Sequence, residues 1–122
     1  MLLLQALFAL FGYDILVAFR PFKTLYTKVK SWKVANTSAD QETIVRVCNA
    51  VDHACVWYPK RVLCLQRSFV TTYLLRKHGV AAEMVLGAQK LPFKAHAWVE
   101  VERRAVNERS NVQANYGVWD RC

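Results

Sequence analysis

The chain has 122 residues, 54% of them hydrophobic, and its 17 basic and 9 acidic side chains give a net charge of +8. This length suits one domain with a modest core, and only four glycines and three prolines argue against long disordered stretches. The basic residues are scattered, without zinc-finger spacing or a ladder of aromatic and basic residues, so the sequence does not indicate nucleic-acid binding. The four cysteines lack the dense spacing of small secreted proteins, which favours reduced thiols and a cytoplasmic protein.

The first 19 residues are almost entirely apolar, and Gln5, Gly12 and Asp14 are the exceptions. This segment has no basic start and no small-residue cleavage site, which argues against a signal peptide. It is also just short of the roughly 20 apolar residues that a membrane span needs. We predict a helix that packs on the domain or a partner, with a position at the inner face of a membrane as an alternative.

Pro21 is expected to end that helix. Residues 22–32 then alternate apolar and lysine side chains at helical spacing, which predicts a basic amphipathic helix. A capping-box pattern, Ser38 to Gln41, predicts the start of a further helix that Pro59 ends. Its apolar stripe is predicted to comprise Ile44, Val47, Cys48, Val51, Cys55 and Val56.

Residues 64–79 predict another helix, with Cys64 at its start and Gly79 as its C-terminal cap. The pattern then changes to alternation, which predicts strands over residues 80–89, 94–102 and 104–108. The last two strands are expected to form a hairpin that turns near Arg103. Helices followed by an antiparallel sheet predict an α+β fold.

Cys64 and His96 carry the chemistry that the sequence suggests. A helix N-terminus favours the thiolate form of a cysteine, and its free N–H groups can bind an oxyanion. His96 lies mid-strand, in "KAHAWVEV", where it could act as general base and then as general acid. The alternative is that both are ordinary core residues, because a cysteine and a histidine in one sequence are only a candidate pair.

A third group should orient the imidazole of His96. The predicted hairpin brings the region around residues 108–110 nearly opposite His96, so we predict Glu108 as the orienting residue, with Asn107 as its competitor. Adjacent strand residues point to opposite faces, so only one of the two can serve. Cys48, His53, Cys55 and Cys64 match no familiar zinc spacing, and we predict neither a metal nor a cofactor.

The stretches "CLQRSFVTTYLLRKHG" and "HAWVE", followed by Asn107 and Glu108, resemble the transglutaminase-like leader peptidases of lasso-peptide biosynthesis, the microcin-processing proteins. The resemblance covers nearly the whole chain. It implies a papain-like α+β core with a catalytic triad of Cys64, His96 and Glu108. The family usually has aspartate where this chain has Glu108.

The resemblance implies a cysteine protease that removes the leader from a ribosomally made precursor peptide. It also implies a small, separate leader-binding partner and a cyclase that closes the ring afterwards. We therefore assign residues 1–33 to N-terminal packing or docking helices and residues 34–122 to the catalytic core of a single domain. Within that core we expect Arg67 to pair with Glu83 or Glu100, and Ser68 to bond back to the Cys64 carbonyl.

Three other functions remain open from the sequence. The same triad could serve an acyltransferase or amidase, since access to the pocket decides between water and an amine as acceptor. The chain could also be a catalytically silent peptide-binding module, as the departure at Glu108 suggests. Finally, the apolar and basic N-terminal residues could belong to a membrane-surface protein.

Overall fold

The structure is a computed structural model, and it describes residues 2–19, 41–59, 62, 64–89, 94–101, 104–106 and 117–121. These residues form three helices and four strands: α1 Leu2–Phe19, α2 Gln41–Trp57, α3 Cys64–Lys77, β1 Ala82–Gln89, β2 Lys94–Val101, β3 Arg104–Ala105 and β4 Gly117–Arg121. The predicted α+β order, helices before an antiparallel sheet, is confirmed. The predicted basic helix over 22–32 lies outside the described residues, as does Ser38 of the capping box.

Helix α1 confirms the prediction of an apolar N-terminal helix that packs on the domain. It contacts both α2 and α3, and Ala6 and Leu10 are fully buried in the core. Its one charged residue, Asp14, accepts a hydrogen bond from the Tyr58 hydroxyl just after α2. Burial, followed by this hydrogen bond, raises the pKa of Tyr58 to about 12, so the phenol stays protonated and able to donate. None of the described helices is both long enough and apolar enough to cross a membrane.

Helix α2 buries the face that its sequence predicts, with one error. Ile44, Val47, Cys48 and Val51 lie in the core, and Cys55 packs against it. Val56 was expected on this stripe, but its side chain is 80% exposed. Position 56 follows the core residue Val51 by five positions, which carries it past the buried face of a helix with 3.6 residues per turn.

Helix α3 ends in a Schellman motif, as the position of Gly79 predicts. The Gly79 N–H donates to the Arg76 carbonyl at 3.1 Å, and the Val80 N–H donates to the Leu75 carbonyl at 2.9 Å. Gly79 has φ of 85°, a left-handed conformation that glycine adopts without steric cost. Val80 and Leu75 are both buried, which adds the apolar contact that accompanies this motif. Because Val80 is used in the cap, β1 begins at Ala82 instead of the predicted residue 80.

The described strands form one antiparallel sheet in the order β3-β2-β1-β4. Strands β1 and β2 pair along their full length, from Ala82 opposite Val101 to Gln89 opposite Lys94. The predicted hairpin is confirmed, since Val101 pairs with Arg104. Strand β3 was expected to reach residue 108; the Val106 N–H continues its pairing by donating to the Val99 carbonyl, and residues 107–110 lie outside the described residues.

The two faces of the sheet have different environments. Helix α3 packs against β1 and β2, and Met84, Val99 and Val101 join the core shared with the helices. Trp98, which strand alternation places on the other face, is fully buried against Val85. Both faces of the central strands are therefore covered at these positions.

Gly79→Ala is expected to destabilise the protein by about 1–2 kcal/mol, because a β-carbon is strained in the left-handed region. Gly12→Ala is the matched control, since it makes the same change inside helix α1. It is expected to stabilise by about 0.5–1 kcal/mol. An added β-carbon meets nothing within 4 Å at either site, so the backbone conformation alone separates the two variants. Urea denaturation followed by circular dichroism measures both, and equal effects would contradict the assignment of the cap.

Candidate active site

Cys64 is the first residue of α3, as predicted, and its side chain is partly exposed. The first N–H groups of a helix have no partner within the helix, and the helix dipole makes this end positive. An oxyanion formed beside Cys64 is therefore favoured by position. Cys64 is a free thiol.

Two buried or paired side chains hold the first turn of α3 in place. The Gln66 side chain, only 4% exposed, donates to the Leu10 carbonyl of α1 at 3.0 Å. The Arg67 guanidinium pairs with the Asp52 carboxylate of α2 at 2.9 Å. Arg67 thus has a partner other than the predicted Glu83 or Glu100, because α2 lies beside this turn. Cys64 therefore lies at a helix start that contacts with both α1 and α2 hold in place.

The expectation for Ser68 is wrong. The Ser68 hydroxyl is buried and has no hydrogen-bond partner among the described residues, so it does not bond back to the Cys64 carbonyl. Thr71, one turn further on, makes a bond of that kind and donates to the Arg67 carbonyl at 2.8 Å. The first carbonyl of α3 is therefore not used by this serine.

Tyr13 of α1 packs on Phe69 of α3, a contact that the sequence did not indicate. Burial, then the negative charge of Asp14, then that of a Cys64 thiolate raise the pKa of Tyr13 to about 12. The Tyr13 ring also contacts the Phe69 ring, with centroids 5.3 Å apart. Helix α1 therefore places the Tyr13 ring against α3. A tyrosine inside an apolar run carries no sequence signal of such a contact.

His96 lies on β2 and is partly exposed, as a general base must be. Its ring stacks on the ring of Trp98, with centroids 5.8 Å apart and planes 27° from parallel. The Trp98 indole N–H donates to a carboxylate oxygen of Glu100 at 2.9 Å. Both Trp98 and Glu100 are fully buried, so the imidazole rests on a side chain that cannot rotate freely. Trp98 is therefore a packed, fully buried side chain.

Helix α3, which begins at Cys64, packs against strand β2, which carries His96. Helix α3 runs away from Cys64, and the turn at Gly79 sends β1 back along it. Strand β2 begins where β1 ends, and His96 pairs there with Gly87, a residue without a side chain to crowd the imidazole. Strand alternation puts His96 on the face opposite Val99, which contacts the helices. The His96 imidazole therefore lies on the sheet face opposite the one that packs on α3.

A helix with a cysteine at its first residue, packed on an antiparallel sheet that carries a histidine, is the arrangement of papain-like and transglutaminase-like proteins. The family model of the transglutaminase-like superfamily matches residues 9–119, which is most of the chain. The chain belongs to this superfamily, and the fold that the sequence resemblance implied is confirmed.

The chain is also similar to a curated protein. The chain is 31% identical over 55 residues to the microcin J25-processing protein McjB of Escherichia coli. The match covers 45% of this chain and 26% of the relative, so the chain spans about a quarter of that protein's length. No solved structure matches the chain significantly.

We expect Cys48 to react much more slowly than Cys64 with iodoacetamide in the folded protein. Burial above all, then the charge of Asp52, raises the pKa of Cys48 to about 11, although Arg67 opposes this. A thiol reacts as thiolate, so only about one Cys48 in a thousand is reactive at pH 8, and its rate should rise about tenfold per pH unit toward pH 11. Peptide mass spectrometry measures both sites, and urea-unfolded protein is the control. Equal rates in the folded state would contradict the burial of Cys48.

Trp98→Phe should lower the free energy of unfolding by about 1–3 kcal/mol, because it removes the indole donor from the buried Glu100 carboxylate. Trp57→Phe is the matched control, since Trp57 is 75% exposed and its replacement should change stability by less than about 0.5 kcal/mol. Urea denaturation followed by far-ultraviolet circular dichroism compares them. An equal loss of unfolding free energy in both variants would show that the Trp98–Glu100 hydrogen bond does not stabilise the fold.

Proposed function

We propose that this protein is a cysteine peptidase that removes the leader from a lasso-peptide precursor. Membership of the transglutaminase-like superfamily and the similarity to a microcin J25-processing protein support the processing of a peptide. The observation that supports the choice of chemistry is that Cys64 is the first residue of α3 and that His96 lies on β2, a strand against which α3 packs.

The proposed reaction follows from these two side chains. His96 takes the thiol proton, and the Cys64 sulfur attacks the carbonyl of the scissile bond. The backbone N–H of Cys64 donates to the oxyanion that forms. His96 then gives its proton to the leaving amine, which leaves the leader attached to Cys64 as a thioester. A water molecule, deprotonated by His96, hydrolyses the thioester and restores the thiol.

The orienting residue remains a proposal, because Asn107 and Glu108 lie outside the described residues. A carboxylate stabilises the imidazolium better than an amide, which favours the predicted Glu108. Alternation favours Asn107: Ala105 packs with Trp98 on the face of His96, whereas Val106 packs with the core on the opposite face. Continued without a bulge, this alternation would give Asn107 the face of His96.

We also propose a separate leader-binding protein and a lasso cyclase as partners in the cytoplasm. The resemblance of the sequence to the leader peptidases of lasso-peptide biosynthesis is what supports these two partners. The free thiols of Cys48, Cys55 and Cys64 are consistent with a reducing compartment.

The proposal is tested by incubating the precursor encoded beside this protein with the purified chain and the leader-binding partner. Mass spectrometry should find one cut at the end of the leader, and Cys64→Ala should slow it at least about 10³-fold by removing the nucleophile. Cys55→Ala, the same change at a partly buried thiol of α2, should cut at the wild-type rate.

Three further results of this cleavage assay distinguish between the orienting residues and between the possible reactions. Slower cutting in Glu108→Ala but not in Asn107→Ala would assign the orienting role to Glu108, and the reverse would assign it to Asn107. An added amine that appears in the product would point to an acyltransferase. Undiminished cutting by Cys64→Ala would refute the proposed chemistry.

A further inference from the structure

The outward face of α1 is an unbroken apolar strip. Leu4, Phe8, Phe11 and Ile15 are separated by four, three and four positions, so they lie on one side of the helix, and we call them the outer face of α1. All four are exposed, Phe8 by 74% and Phe11 by 58%. Large apolar side chains exposed as a contiguous group mark a surface that binds something apolar.

No charged side chain interrupts the outer face. The sole charged residue of α1 is Asp14, and its carboxylate accepts the hydrogen bond of Tyr58. Phe8 and Ile15 also line a groove of about 390 Å³, together with Tyr13, Phe69 and Tyr73. The surface that α1 presents is therefore apolar both on the helix and in the recess beside it.

The sequence that follows α1 is strongly basic. Five basic residues, Arg20, Lys23, Lys28, Lys30 and Lys33, occur within fourteen positions, and no acidic residue occurs between Asp14 and Asp40. A basic segment joined to an apolar helix face complements a surface that is anionic outside and apolar beneath. A protein partner would more often offer both signs of charge, since mixed charges are the norm on protein surfaces.

We propose that α1 binds the surface of an anionic lipid membrane, with its outer face entering the boundary between headgroups and acyl chains. The inner side of α1 keeps its contacts with α2 and α3, so binding needs no change in the fold. The basic residues after α1 bind the lipid phosphates. This proposal is independent of the peptidase chemistry, because it uses none of the residues assigned to catalysis.

Vesicle co-sedimentation of the full chain tests the proposal. Vesicles of phosphatidylglycerol and phosphatidylcholine should sediment the protein, and phosphatidylcholine alone should sediment at least about tenfold less, as should the anionic vesicles in 0.5 M NaCl. The variant Phe8→Gln/Phe11→Gln should weaken partitioning about tenfold or more. Its matched control is Val56→Gln/Trp57→Gln, which removes two apolar side chains of α2 that are more exposed than Phe8 and Phe11, and it should bind like wild type.

Three results would overturn the proposal. The first is a wild-type chain that stays in the supernatant with anionic vesicles. This result would indicate that the outer face of α1 binds a protein partner instead of a membrane. The second is equal loss of binding in the α1 and α2 variants, with both folded by circular dichroism. The third is full binding by a Lys23→Gln/Lys28→Gln/Lys30→Gln variant. Cys64→Ala should bind like wild type, so a failure of the membrane proposal is distinguishable from a failure of the peptidase proposal.

Discussion

The reversal of the chain at Gly79 is the constraint on which the site depends. It closes α3 with two hydrogen bonds and directs β1 onto the same helix, so that α3 packs on both β1 and β2. Cys64, at the start of α3, and His96, two residues into β2, therefore belong to elements that pack together. A longer or differently directed turn would separate the strand that carries His96 from the helix that begins at Cys64.

The rest of the domain fixes the orientation of these two side chains. Gln66 and Arg67 tie the first turn of α3 to α1 and α2, and the buried Trp98–Glu100 pair backs the ring of His96. The site is thus built on a helix start and a central strand, where side-chain positions vary less than in loops. The Tyr13 ring, packed on Phe69, adds a further contact between α1 and α3.

Periodicity and cap signals predicted much of this fold. The apolar spacing of α2, the glycine after α3 and the alternation of β2 are local signals, and the structure contains each element. Strand β4 was not predicted, because it is short and pairs with β1, far away in sequence, across a bulge between Leu86 and Gly87. The partner of Arg67 and the burial of Glu100 were missed for the same reason: each depends on which elements meet in space.

The central claim is that Cys64 and His96 form one active site. It is tested most directly by the rate at which iodoacetamide alkylates Cys64 at pH 7, compared between wild type and His96→Ala. If the imidazole activates the thiol, Cys64 in the variant should react at about one tenth of the wild-type rate or below it. Cys55 should react at the same rate in both proteins. An unchanged rate at Cys64 in folded His96→Ala would show that the two residues act separately, and the proposed peptidase would lose its general base.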